Sequence, residues 1–447
     1  MKQSTEQVLV LGAGESGCAA AVCLREEGGD VTVLDEGAVD PAREAELRDW
    51  GIGVVSGASS IPCRRWVRSI VSPGFPVDHP WLCHLERENV PVVSELELGW
   101  TLRKSKMISV TGSNGKSTLV RLIRHILTCH GVRAIEGGNC GPPLCRVAGE
   151  DVDWLVVEVS SFQLEHVAAF RSEISVLLNL QPNHLDRHGT METYLDTKVR
   201  IFAAAAETDL GIVPTPLLDE ICRRVEFPGR WETFGTDLGA DCSYLDGFIC
   251  RNGRRVVFVA DGRFRNRIMG HTLAAAVAVA ADLGIEPVDV VGSLPEFTFL
   301  PHRMETVGVW EGVTFINDSK STTLSSTAAA LERCSGPVRL IAGGISKEKT
   351  LSFLAERLEE KAKAAFVMGR DAERLASAWR GSVPVTVTDT LEEAFAGAVR
   401  EARPGDTVLL SPGCASFDQF DSYAARGRHF RKLIDGWARE TAPAGKE

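Results

Sequence analysis

Residues 111–118 read T-G-S-N-G-K-S-T, and each residue type there has a use in holding a polyphosphate. Gly112 and Gly115 let the backbone turn tightly, so that its N–H groups face one anion. A helix opening directly behind the loop favours negative charge at its N-terminus. Lys116 brings a point charge for the outer phosphates, and the Ser117 hydroxyl is placed to ligate Mg2+. The loop is shorter than the usual G-x-x-x-x-G-K-[ST]. Counted back from Gly115, the first glycine falls at Val110, and Gly112 takes over its role. The plainer reading is a serine-rich turn that opens a helix. The flanks favour the phosphate loop, because the apolar run Met107–Val110 precedes it and Leu119, Val120, Leu122, Ile123, Ile126 and Leu127 follow at helical spacing. ATP is therefore expected on Gly112, Ser113, Asn114, Gly115, Lys116, Ser117 and Thr118.

Other reactive groups also sit behind apolar runs. Glu158 ends Trp154-Leu155-Val156-Val157. A carboxylate at the end of a buried strand is costly unless something pairs it. Mg2+ on ATP phosphates is one partner, and a cap on the next turn is the other reading. His184 lies in the loop after the run Ile174–Leu178, either as a metal ligand or as a structural histidine. Lys198 falls in an expected helix, Met191–Phe202, where a lysine is ordinarily solvated and pattern alone does not single it out. Asn317-Asp318-Ser319-Lys320 follows the run Val313–Ile316, with Ser321-Thr322-Thr323 able to cap a helix. Ser411 to Ser416 follows Thr407–Leu410 and includes Cys414.

The elements that must position these groups fall into three αβ segments. In the first, strand Val8–Leu11, the turn Gly12–Gly17 and helix Cys18–Glu27 precede strand Val31–Leu34 and Asp35. This is a G-x-G-x-x-G unit with an acid 18 residues past its last glycine, which alone suggests NAD. Ser72-Pro73-Gly74 follows a third strand, Ser69–Val71. The second segment has strands Met107–Val110, Trp154–Val159 and Ile174–Leu178, Ala-rich helices at Ala203–Ala206 and Leu273–Ala281, and a small antiparallel piece at 240–262. Unalternating apolar runs predict a mainly parallel sheet covered on both faces. The third has strands Val313–Ile316, Val338–Ala342, Ala365–Met368 and Thr407–Leu410, with helices Leu351–Ala362 and Leu391–Glu401 between them, and a frayed tail Thr441–Glu447. The expected fold class is α/β in three domains, at 1–100, 101–299 and 300–447.

Composition narrows the function. At 447 residues with 44% hydrophobic content, the chain can bury several cores. A net charge of −11 argues against nucleic acid as the main partner. No apolar run long enough for a membrane span is present, and residues Met1 to Val8 are polar and lead into a strand, so a cytoplasmic protein is expected. The 12 cysteines are scattered without a C-x-x-C pair, and free buried thiols are the default reading.

In this order the motifs resemble the Mur ligase family of peptidoglycan synthesis over nearly the whole chain. The markers are T-G-S-N-G-K-S-T at 111–118, G-G-N at 137–139, V-E-V-S-S-F-Q-L at 157–164, N-H-L-D-R-H at 183–188, H-R at 302–303, D-S-K at 318–320 and S-P-G-C-A-S-F-D-Q-F at 411–420. The last block resembles D-glutamate-adding members, and the D-N-P-R motif of diamino-acid-adding members is absent. The resemblance implies a Rossmann-like N-terminal domain, a central ATPase and a Rossmann-like C-terminal domain. It implies an ATP-dependent amide ligase that joins D-glutamate to UDP-N-acetylmuramoyl-L-alanine through an acyl phosphate, working as a cytoplasmic monomer on small molecules. Glu15, Ser16, Asp35, Glu36, Ser72, Pro73, Gly74 and Asn139 would hold the UDP substrate. Ser117 and Glu158 would hold one Mg2+, and His184 with a carbamylated Lys198 a second. Arg303 and Asp318 would meet the nucleotide, and Lys320, Thr322, Lys347, Ser416, Phe417 and Tyr423 would bind the amino acid.

The sequence departs from the family pattern in three places. The adenine-side H-N-x-x-N is replaced by Arg267-Ile268-Met269-Gly270-His271, with His271 where the second Asn is expected. D-S-K-A-T-N becomes Asp318-Ser319-Lys320-Ser321-Thr322-Thr323, and no acid directly follows Gly343-Gly344. A folylpolyglutamate synthetase-like ligase, an NAD-dependent oxidoreductase and a non-catalytic nucleotide-binding protein are the competing readings. The oxidoreductase leaves Lys116 and Glu158 without a task.

Overall fold

The structure, a computed structural model, describes residues 6–299, 301–334, 336–348 and 350–441. Residues 1–5 and 442–447 lie outside them, and with them the expectations for the first residues and for most of the tail. The chain divides into two compact units, Met1–Arg265 with Gly270–Phe297, and Asn266–Met269 with Thr298–Glu447.

The first unit contains two sheets. One has five strands in the order Gly53–Val55, Asp30–Leu34, Gln7–Leu11, Arg68–Val71, Val92–Ser94, all parallel. The run Val8–Leu11 is buried along its whole length, as expected for a strand covered on both faces. Strand order reverses between Gln7–Leu11 and Arg68–Val71, which places the Gly12–Gly17 turn and Ser72 on the two sides of a crevice at the strands' carboxyl ends.

The other sheet has nine strands, with Lys106–Thr111 between Ile174–Leu177 and Trp154–Glu158. Ala134–Gly138 forms one edge, and Leu210–Pro214 and Arg230–Gly235 extend the sheet past Ile174–Leu177. The expected antiparallel piece is present as Cys242–Leu245, Phe248–Arg251 and Arg254–Phe258. Helix Lys116–Cys129 buries Leu119, Val120, Leu122, Ile123, Ile126 and Leu127, the stripe its spacing predicts. Residues 203–206 form a turn and coil instead of the expected helix. Helix Met191–Val199 tightens into a 3-10 turn, Arg200–Phe202, and the chain then turns toward strand Leu210–Pro214. Alanine content raises helix propensity but does not fix length against tertiary contacts.

Helix Glu95–Leu102 joins the two sheets. Its buried Glu97 carboxylate accepts from the N–H groups of Ala168, Ala169 and Phe170 at 3.1, 2.9 and 3.0 Å, which compensates for its burial.

The second unit holds a six-stranded sheet in the order Glu305–Trp310, Val313–Asn317, Thr407–Leu410, Val338–Gly343, Ala362–Met368, Val385–Val387. Only the first pair is antiparallel. Thr323 does cap helix Leu324–Arg333, accepting from Ser326 N–H. The helix expected at Leu351–Ala362 is a 3-10 turn, Leu351–Leu354, then helix Ala355–Lys361, and Ala362 already starts the strand. No two of the twelve cysteines are joined in a disulfide. Cys18, Cys145, Cys242, Cys250, Cys334 and Cys414 are buried, whereas Cys63, Cys129 and Cys222 are exposed.

Candidate active site

The phosphate loop is held open from outside. Asn179, just past strand Ile174–Leu177, accepts from the N–H groups of Ser113 and Asn114 on its Oδ1 at 3.1 and 2.9 Å and donates from Nδ2 to Asn114 O at 2.8 Å. Ser113 Oγ lies 2.8 Å from both Gln181 O and Gln181 N. Gly112 and Gly115 have φ of 150° and 82°, and Gly115 caps the helix that starts at Lys116. Side chains rarely adopt these angles, so the glycines are required for the cradle. Lys116 Nζ rests on the loop itself, donating to Gly112 O and Ser113 O at 2.8 and 3.1 Å.

Strand register brings Glu158 to this loop, since Val110 lies opposite Glu158. The Ser117 hydroxyl donates to Glu158 Oε2, and Asn139 Nδ2 donates to Oε1 at 2.8 Å. The Asn139 N–H also donates to Glu158 O at 2.8 Å. Asn139, expected at the UDP substrate, thus sits on the carboxylate. Ser117 and Glu158 are both buried, and their hydroxyl and carboxylate are hard oxygen donors of the kind Mg2+ takes. Among the described residues, no group of three or more His, Cys, Asp or Glu side chains is gathered to hold a metal alone. An ion that arrives with its phosphates does not need one.

Lys198 is not the solvated lysine that a helix position suggests. It is 1% exposed, and its Nζ donates to Thr111 Oγ1 and Gly112 O at 3.3 and 3.0 Å. Burial, and then the charge of Lys116, hold its pKa well below the ordinary lysine value, while Glu158 acts the other way. A neutral amine is the form that can take up CO2, so the residue fits carbamylation and the oxygen ligand it would supply. His184 occupies a left-handed conformation (φ 55°) ahead of the short helix Leu185–His188, with its ring 4.8 Å from that of Phe162. For a residue other than glycine such a backbone is strained, and the neighbouring structure must hold it.

At the first sheet's crevice, Asp35 accepts from Ala13 N–H at 2.7 Å and Gly37 N–H at 2.8 Å. A Cβ on Gly12 would come within 2.7 Å of Ser72 Oγ, so the two loops touch because that residue has no side chain. Glu15 is exposed and Ser16 half-buried at the start of helix Glu15–Glu26, and Glu36 pairs with His79 at 3.2 Å. Pro73 is half-buried and Gly74 exposed beside them. His271, expected at adenine, lies in helix Arg267–Asp282 with Nε2 3.0 Å from Leu178 O and its ring against Phe234 at 4.7 Å.

In the second unit three loops are stitched together at adjacent strand ends. Gly343 N–H donates to Pro412 O at 2.9 Å, Gly413 N–H to Ser321 O at 2.9 Å, and Ile345 pairs with Ala415. Asp318 is buried and accepts from Ser321 Oγ, Ser411 Oγ and Met304 N–H at 2.5, 2.8 and 2.9 Å. Burial raises its pKa and these donors oppose the rise. Asp318 thereby holds the turn that presents Arg303 between His302 (φ 61°) and Met304 (φ 48°). Lys320 lies over the Tyr423 ring at 5.7 Å. Thr322 is half-buried, Ser416 buried, and Lys347, Phe417 and Tyr423 are exposed.

Sequence reasoning missed two residues here. Glu348 caps the helix across the loops, accepting from Leu324 N–H at 2.9 Å. It is an acid near Gly343-Gly344, four residues past them instead of next to them. Arg426 is 1% exposed and donates to Ser319 O, Ser319 Oγ and Cys414 O at 2.9, 3.0 and 3.1 Å. Burial lowers its pKa to about 10.

Residues 110–246 match the Mur ligase middle domain, and residues 302–414 match the Mur ligase glutamate ligase domain. The UDP-N-acetylmuramoylalanine–D-glutamate ligase of Koribacter versatilis is 37% identical, over 96% of this chain and 97% of its own. That of Syntrophus aciditrophicus is 33% identical, over 98% and 99%. Among solved structures, the MurF ligase of Thermotoga maritima in complex with ADP aligns with a TM-score of 0.61 at 18% identity, over 92% of this chain and 95% of its own. FolC of E. coli aligns with 0.57 at 16% identity, over 76% and 92%, a likeness of fold alone. The phosphate loop, the carboxylate beside it and relatives that match over nearly the whole chain agree: this chain belongs to the Mur ligase family.

Proposed function

We propose that this protein is the ATP-dependent ligase that adds D-glutamate to UDP-N-acetylmuramoyl-L-alanine, a cytoplasmic step of peptidoglycan synthesis, and that it acts as a monomer. The observation that carries the proposal is one cluster in which the phosphate loop, the Ser117–Glu158 pair and the buried amine of Lys198 meet. The relatives' name supplies the substrates.

In this reading the domains are 1–100 for the UDP substrate, 101–299 for ATP and 300–447 for the amino acid. The substrate's alanine carboxylate attacks the γ-phosphorus, ADP leaves, and the D-glutamate amine displaces phosphate from the acyl phosphate. Lys116 moves from Gly112 O and Ser113 O onto the phosphates, where its charge offsets the charge that spreads in the transition state. Residues 112–118 turn N–H groups and the helix N-terminus to the same anion. Mg2+, when bound, neutralises phosphate charge. Ser117 and Glu158 are the residues that would hold one ion, and His184 with carbamylated Lys198 a second. Glu15, Ser16, Asp35, Glu36, Ser72, Pro73, Gly74 and Asn139 hold the UDP substrate. His271, Arg303 and Asp318 serve the nucleotide. Lys320, Thr322, Lys347, Ser416, Phe417 and Tyr423 bind D-glutamate, whose two carboxylates suit a cation and hydroxyls.

The test is ADP release, coupled to a spectrophotometric readout, with UDP-N-acetylmuramoyl-L-alanine and a panel of D- and L-amino acids. D-Glutamate alone should support turnover. Preference for another amino acid, or ADP release that ignores the amino acid, would refute the assignment.

A further inference from the structure

Arg187 lies within the short helix Leu185–His188, directly behind His184. Its side chain is 14% exposed and pairs with Glu165 through Nη2, with Nε adding a bond to Oε1 at 3.0 Å. The same guanidinium donates across to the first sheet: Nη1 to Pro73 O at 2.8 Å and Nη2 to Phe75 O at 2.5 Å. It also covers the Phe162 ring at 4.3 Å, the ring that packs on His184 and, at 5.6 Å, on His188. One planar cation therefore joins the Ser72–Phe75 loop to the turn that presents His184.

The grip has a directional consequence. In a trans peptide the carbonyl and the following N–H point opposite ways. With Pro73 O held by Arg187, the Gly74 N–H is aimed away from Arg187, and apart from Gly74 and its two chain neighbours no atom lies within 4 Å of where a Gly74 Cβ would be. We infer that Arg187 is a positioning residue: it fixes the Ser72–Phe75 loop so that Gly74 N–H serves as a donor to the anionic part of the UDP-bearing substrate. This rests on the functional reading above.

The test is steady-state kinetics of the full chain with Arg187→Met and Arg187→Lys, alongside thermal melting. Arg187→Met removes the fork and should raise KM for the UDP substrate by about tenfold or more, the effect of losing a charge-assisted bond. KM for ATP and kcat at saturation should stay within about threefold. Arg187→Lys keeps the charge opposite Glu165 but cannot grip both carbonyls, so it should fold and fall between the two. An unchanged KM for the UDP substrate in both variants overturns the inference. So does a rise in the KM values for the UDP substrate and ATP alike, in step with a fall in melting temperature, which marks a merely structural residue. Wild-type protein that does not turn the UDP substrate over sinks the functional reading instead, and this inference with it.

Discussion

Lys116 and Lys198 donate to the same oxygen: their Nζ atoms lie 2.8 and 3.0 Å from Gly112 O. Two ammonium groups sharing one carbonyl repel each other, and the buried one gives up its proton more easily. Lys198 is that group, and Lys116 is among the causes of its lowered pKa. Burial and the neighbouring Lys116 thus both weaken the hold of Lys198 on its proton.

On the proposed carbamate role, Lys198→Ala should lower kcat by about ten- to a hundredfold. It should also destabilise the fold by roughly 2–3 kcal/mol, because a buried stem is removed. Added short-chain carboxylates should restore part of the activity without restoring the melting temperature. Full activity in the variant, or recovery of stability and activity together, would contradict a ligand role.

Lys116→Ala should abolish measurable ligation, with a loss of at least about a hundredfold in kcat. Its Nζ bonds to Gly112 O and Ser113 O are lost with the side chain, at about 1 kcal/mol of stability each. Near-normal turnover would remove Lys116 from the chemistry.

Lys347→Ala should raise KM for D-glutamate by about tenfold and leave KM for ATP within about twofold, since an exposed lysine that meets a carboxylate contributes through binding alone. Equal, small changes in both constants would place the amino-acid carboxylates elsewhere.

Glu95 gives the fold a pH signature. Its side chain is 1% exposed, Oε1 accepts from Cys145 N–H at 2.7 Å, and Oε2 is buried without a partner. Burial pushes its pKa up to about 7, with the Cys145 bond opposing. A folded-state pKa above the unfolded value of 4.5 means that stability is fully present below 4.5 and is lost as pH rises through 7. Glu95→Gln keeps an acceptor for Cys145 and removes the charge. Relative to wild type, it should gain at most about 3 kcal/mol between pH 5 and pH 8. Parallel melting curves across that range would show that Glu95 does not titrate in the folded state.

The reactive groups at strand ends were legible because chemistry there breaks an apolar run. Residues 111–118, Glu158 and the loops after Asn317 and Leu410 all announce themselves in this way. The burial of Lys198 was not legible, because its partners Thr111 and Gly112 lie 87 and 86 residues away. Arg426 is hidden for the same reason: it lies 107 residues from Ser319, and an arginine in a helical stretch ordinarily points to water. The short edge strands Gly53–Val55 and Val385–Val387 carry too few residues to show a period. The segment 203–206 misled because alanine propensity was read without the contacts that end a helix.

In the proposed reaction the substrate carboxylate becomes an acyl phosphate. UDP-N-acetylmuramoyl-L-alanine labelled with 18O in its alanine carboxylate tests it by mass spectrometry of the released phosphate. One carboxylate oxygen should leave in that phosphate for each amide formed, the other remaining in the new carbonyl. Phosphate free of label, with ligation proceeding normally, would contradict the account.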